Sequence, residues 1–118
     1  MGDIIKESST NQFNKRALLD RCGVNDTLSL IGKRWLMTVL YEISLGNNQF
    51  TALKKSVTEI SEHVLAKRIA DLTGQGLISK KEIGDTIPLQ ITYTVTEKGK
   101  QLLSLVNGLY HWNRHWYK

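Results

Sequence analysis

The sequence holds one cysteine, Cys22, and one proline, Pro88, in 118 residues. A lone thiol excludes an internal disulfide, a CxxC redox centre and any zinc site that needs several thiolates. No apolar run approaches the roughly 18–20 residues of a membrane span. The first residues, Met1-Gly2-Asp3-Ile4-Ile5-Lys6, lack the layout of a secretion signal. Lys6 stands where a myristoylation pattern requires Ser or Thr. These absences predict a cytoplasmic protein with no membrane partner. There is no glycine-rich phosphate loop, and none of the three histidines has an evident nucleophile or acid partner. The expectation is a chain that is not an enzyme and takes no cofactor. His111 and His115 lie four apart, a spacing able to chelate a metal, but Trp112 stands where the zincin pattern needs Glu. No metal site is expected.

What is present is ordinary in bulk and uneven in charge. Hydrophobic residues make up 41% and charged residues 23%, which suits a soluble globular domain and excludes disorder. Sixteen Lys+Arg against eleven Asp+Glu leave +5. A basic balance on a chain of this size points to a polyanionic partner. Between Lys54 and Lys81 the basic residues are Lys54, Lys55, Lys67, Arg68, Lys80 and Lys81, and the acidic ones Glu59, Glu62 and Asp71. More than half of the surplus therefore lies in one central stretch.

Residues 1–12 are polar and aperiodic and read as an N-terminal arm, followed by one domain over 13–118. A short helix over 13–20, with Phe13, Ala17 and Leu18, is expected to stop near Cys22-Gly23. Asn25 or Asp26 can then cap a central helix. Its apolar positions Leu28, Ile31, Trp35, Leu36, Val39, Leu40 and Ile43 recur with helical spacing, and Gly46-Asn47-Asn48 ends it. A short helix runs from Phe50 to about Ser56. After a break at Thr58-Glu59-Ile60, Ser61 caps another helix to about Thr73, with Leu65, Ile69 and Leu72 as its buried stripe. Gly74-Gln75-Gly76 stops it. Helix, short turn, helix with a basic outer face is helix-turn-helix geometry. Residues 77–83 read as a strand, 84–88 as a loop, and the strict alternation of 91–96 as a second, half-buried strand. A hairpin in that place is a wing. Thr96 and Glu97 open a last helix whose stripe is Leu102, Leu105, Val106, Leu109, Trp112 and Trp116. That is more apolar surface than a small domain covers alone, so a homodimer seam is expected there. The predicted fold is α+β, mainly helical: a winged helix-turn-helix whose N- and C-terminal helices form a homodimer seam.

Particular residues narrow this order of elements. Cys22 lies just before the core helix, and Gly32-Lys33-Arg34-Trp35 precedes Val39-Leu40. Gly46, Phe50-Thr51-Ala52-Leu53, Ile60-Ser61, Leu65, Arg68-Ile69, Leu72 and Gly76-Leu77-Ile78 follow. Pro88 and Tyr93-Thr94-Val95-Thr96 precede Gly99, and Trp112 lies near the end. Over residues 17 to 113 the chain resembles the HxlR-type family of winged helix-turn-helix transcriptional regulators of bacteria. The resemblance implies a homodimer that binds a palindromic double-stranded DNA operator, more commonly as a repressor. It also implies sensing of oxidants or electrophiles at the cysteine matched by Cys22. The chain departs from the family pattern at Gly23, where proline is usual, and at Glu59, where glycine is frequent.

The helix from Ser61 is the expected reader of the major groove. With Leu65, Ile69 and Leu72 inward, the period turns His63, Ala66, Lys67 and Ala70 outward. Ser61, Glu62 and His63 lie at the end that reaches base edges. Lys67 and Arg68 suit guanine edges or phosphates, and Ser61 with the first-turn N–H groups suits a phosphate. On the wing, Lys80 and Lys81 are the expected phosphate clamp, with Thr86 near the tip. Lys54 and Lys55 are further backbone contacts. Arg21 beside Cys22, and a helix start just after it, favour the reactive thiolate. Two other readings stay open: a ligand pocket near the C-terminal helix as the effector site, and a winged-helix protein–protein module that binds no DNA.

Overall fold

The computed structural model describes residues 23–85 and 90–117. The expected arm over 1–12, the helix over 13–20, Cys22 and Thr86 lie outside the described residues. The fold divides after Lys33 into two units.

In the first unit, helix α1 covers residues 23–31. Gly23 is thus helical rather than a stop, and Asn25 and Asp26 sit within α1 instead of capping a later helix. The Thr27 hydroxyl donates back to the Gly23 carbonyl at 3.0 Å, one turn earlier. Such a bond is open to a threonine inside a helix. The last turn tightens where the Lys33 N–H bonds the Leu30 carbonyl at 3.1 Å, an i to i−3 contact.

The second unit holds α2 (Leu36–Ser44), α3 (Phe50–Ser56), α4 (Glu62–Gly74), β1 (Ile78–Ile83), β2 (Gln90–Val95) and α5 (Glu97–Trp116). The single helix expected over Leu28–Ile43 is therefore two. The break falls at residues 32–35, where Trp35 takes a left-handed backbone with φ of 73°. Periodicity is blind to it, because the apolar stripe records which face is buried and not whether the backbone ladder is continuous. Trp35 is half-buried rather than a core residue.

α2 is the hub. Leu36, Val39, Leu40 and Ile43 lie along one face and are all buried. α3, α4, α5 and β2 pack around it. The other helices contribute Leu53, Leu65, Leu72 and Leu102, and the hairpin contributes Ile78, Tyr93 and Val95. Fully burying one such aliphatic side chain is worth about 2 kcal/mol. No polar or charged side chain is buried among the described residues. The phenol of Tyr93 is pushed above its ordinary value of 10.0 by burial, so it stays neutral.

The helix stops anticipated at Gly46 and at Gly74-Gln75-Gly76 are present, and their bonding explains them. After α4, the Gly76 N–H bonds the Thr73 carbonyl at 3.0 Å and the Leu77 N–H bonds the Leu72 carbonyl at 2.9 Å. Gly76 has φ of 71°. This is the paired closure that a left-handed residue after a helix makes possible. α2 closes the same way, through Gly46 to Ile43 and Asn47 to Glu42 at 3.0 and 3.1 Å. The hairpin is antiparallel and pairs Ile78 with Val95, Lys80 with Tyr93 and Lys81 with Thr92.

Candidate DNA interface

The helix-turn-helix is built as the spacing predicts. α3 ends at Ser56, and Val57 and Ile60 bury the turn at 4% and 1% exposure. Ser61 caps α4: its hydroxyl oxygen accepts the Val64 N–H at 3.1 Å. Glu62 then sits in the first turn, where the helix dipole favours an acid. Leu65, Ile69 and Leu72 are buried. Glu62, His63, Ala66, Lys67 and Ala70 are exposed, so the expected outward row exists as one continuous face.

The basic stretch divides by task. Lys55, Lys67, Lys80 and Lys81 are exposed. Lys54 is half-buried, and its ammonium donates to the Ile60 carbonyl. It braces the turn between the two helices. The Arg68 guanidinium is also engaged within the protein: Nε donates to the Arg34 carbonyl at 2.8 Å, and Nη1 meets an Asp71 carboxylate oxygen at 2.8 Å. Lys80 and Lys81 are neighbours in sequence but point to opposite faces of the hairpin. Strand residues alternate sides. Lys80 therefore shares a face with its partner Tyr93, and Lys81 shares the opposite face with Thr92. The structure does not bring the two together as one clamp.

Bonds that sequence reasoning did not foresee, one of them from Lys98, tie the end of α4 to α5. The Thr96 hydroxyl donates to the Gly76 carbonyl at 2.6 Å and accepts the Gly99 N–H at 3.1 Å. The Thr96 N–H bonds the Leu77 carbonyl at 3.0 Å, and Lys98 Nζ donates to the Gln75 carbonyl at 2.6 Å. One capping threonine thus closes α5 and holds the turn that ends α4. The capping pattern was legible; its second bond, across 20 residues, carries no local signal.

Along α5 the expected stripe is buried only at its start. Leu102 is 9% exposed, whereas Leu105, Leu109, Trp112 and Trp116 are 68%, 53%, 55% and 65% exposed. Val106 is half-buried. Beside it, Met37, Tyr41 and Ser44 of α2 and Lys100, Leu103, Ser104, Val106, Asn107 and Tyr110 of α5 line an open groove of about 740 Å³. Among the described residues no group of three or more His, Cys, Asp or Glu could hold a metal ion. No helix there is long and apolar enough to cross a membrane.

The HxlR-like helix-turn-helix family matches residues 30–118. The chain belongs to that family. It is therefore a helix-turn-helix transcriptional regulator, of a kind whose function is carried out on DNA. The HTH-type transcriptional regulator YdzF of Bacillus subtilis is 32% identical over 87 residues, which cover 73% of this chain and 79% of YdzF. The reduced form of the transcriptional regulator YodB from the same organism superposes with a TM-score of 0.72 at 24% identity, covering 80% of this chain and 91% of YodB. The redox regulator HypR, also in its reduced form, gives 0.70 at 22% identity, covering 79% and 91%. Both structural matches establish the winged-helix fold of this HxlR-like chain.

Proposed function

We propose that this regulator binds a palindromic operator as a homodimer, and that modification of Cys22 changes its affinity. One observation carries the DNA reading. α4 buries one face completely and turns Glu62, His63, Ala66 and Lys67 out along the other, directly before a basic hairpin. A helix so placed enters the major groove, and two related by a two-fold axis meet half-sites about one helical turn apart. Repression follows where the operator overlaps a promoter.

The homodimer reading rests on Leu105, Leu109, Trp112 and Trp116, large apolar groups in open solvent on one helix. A second copy covers such a patch most simply. The switch rests on the lone thiol and on two redox-described structural relatives. Two Cys22 thiols can lose two protons and two electrons to an oxidant and join in one intersubunit S–S bond. An electrophile would instead add to the thiolate.

The groove between α2 and α5 favours a second reading of the switch. Among the described residues Lys100 is the one charged group of its lining, which also holds Tyr41 and Tyr110. It fits a small aromatic anion as effector. A winged-helix module that binds only protein is the remaining alternative, and the basic outer face disfavours it.

The test is selection of duplexes from a random pool by reduced and by oxidant-treated protein. An enriched palindrome only in the reduced arm, with the difference lost in Cys22→Ser, supports the thiol switch. The same palindrome in both arms removes the switch and moves attention to the groove. No enrichment in either arm rejects the DNA reading. Lys67→Ala should weaken binding to the enriched site and lower its salt slope by about one.

A further inference from the structure

We infer that Arg68, although it lies on the reading helix, is a positioning residue for DNA recognition rather than a contact to DNA. The inference rests on the DNA reading proposed above. Its geometry is a clamp across 34 residues of chain: Nε donates to the Arg34 carbonyl at 2.8 Å. Asp71, one turn further along α4, holds Nη1 at 2.8 Å and so fixes the plane of the guanidinium. The Arg68 side chain is 19% exposed and that of Asp71 28%.

The carbonyl it holds is not an arbitrary one. The α2 ladder begins with the Val39 N–H on the Trp35 carbonyl, at 2.9 Å, so the Arg34 carbonyl lies just outside it. The next residue, Trp35, has φ of 73° and caps α2 without a side-chain bond. Left-handed backbone is strained for a bulky residue and persists only where its surroundings hold it. The Arg34 guanidinium lies over the Trp35 ring, 5.3 Å from its centroid. Arg68 thus fastens α4 to the strained turn that opens the hub helix.

Such a fastening does something apolar packing cannot. Leu65, Ile69 and Leu72 hold α4 against the core through a force that has no direction. It tolerates small slides and rotations of the helix. A charge-assisted bond is directional, and a planar fork held at two points sets both rotation and rise. Base reading by His63, Ala66 and Lys67 requires that register.

The experiment compares Arg68→Lys, Arg68→Ala, Asp71→Ala and Lys67→Ala for binding to the enriched duplex across a salt series. Lysine keeps the charge but lacks the planar fork, so it cannot make both bonds. The expected result is that Arg68→Lys and Arg68→Ala each weaken binding roughly tenfold, the worth of one charge-assisted bond, with the salt slope unchanged. Asp71→Ala should also weaken it, although removing a negative charge would by itself tighten binding to DNA. A phosphate contact predicts the reverse pattern: near-normal binding by Arg68→Lys, a slope lower by about one in Arg68→Ala, and tighter binding by Asp71→Ala. That pattern overturns the inference.

Amide hydrogen exchange gives a readout independent of DNA. Both Arg68 variants should speed exchange at the Val39 amide, the first bonded in the α2 ladder, and Lys67→Ala should not. Unchanged exchange in folded Arg68 variants, judged by circular dichroism, overturns the clamp. Failure of the unaltered protein to select any duplex would count against the DNA reading alone, since exchange still decides the clamp.

Discussion

Gly99 shows how much can depend on one missing carbon. A Cβ there would fall against the Leu77 carbonyl oxygen and come within 2.8 Å of the Val95 side chain. Neither neighbour can yield easily, because Leu77 accepts the Thr96 N–H at 3.0 Å and Val95 is paired with Ile78. Gly99→Ala should therefore destabilise the fold by about 1–3 kcal/mol, the usual cost of forcing atoms into a packed site. A fall in the denaturation midpoint at unchanged slope is the expected reading. A change within about 0.5 kcal/mol would mean that α5 shifts without loss, as at an unconstrained surface position. Thr96 works at the same scale. Its capping role was legible from Thr96-Glu97 before an apolar stripe, but its bond to the Gly76 carbonyl joins two elements that no local pattern relates.

Among the elements, α3, α4, β1, β2 and α5 follow the sequence closely. α4 and α5 begin at capping residues, Ser61 and Thr96, and α4 closes at Gly76, all signals whose bonding needs are local. Ser61 with the Val64 N–H, and Gly76 with its two closing bonds, are examples. α2 does not follow it, since nothing within residues 28–43 interrupts the stripe; the break is held by Arg68, far along the chain. The wing carries a further consequence. Lys80 and Lys81 face opposite sides of the hairpin, so only one can lie along a given DNA backbone. In a salt series on the enriched duplex, Lys80→Ala and Lys81→Ala should differ. One should lower the slope by about one and the other leave it nearly unchanged. Equal losses from both would mean that the hairpin meets DNA along its edge and not with a face.

For the whole molecule, the unsettled surface is the outer half of α5. Leu109 is 53% exposed, so Leu109→Asp should change the stability of a single chain by no more than about 0.5 kcal/mol. The same change should halve the mass measured by sedimentation, because a buried, unpaired carboxylate is costly in an apolar seam. A dimer mass unaffected by Leu109→Asp would place the proposed contact elsewhere, and a monomer mass in the unaltered protein would reject the homodimer. Family, winged-helix fold class and the outward face of α4 were all legible in the chain. They depend on caps, on glycine stops and on apolar periodicity, which are short-range properties of the backbone and of side-chain spacing. Folding alone decided the split at residues 32–35 and the diversion of Lys54 and Arg68 from the surface to backbone carbonyls. A cation in a sequence advertises its charge. Whether a distant carbonyl or carboxylate comes within 3 Å of it depends on how the helices pack, and hydrophobic packing is what brings Arg34 to Arg68.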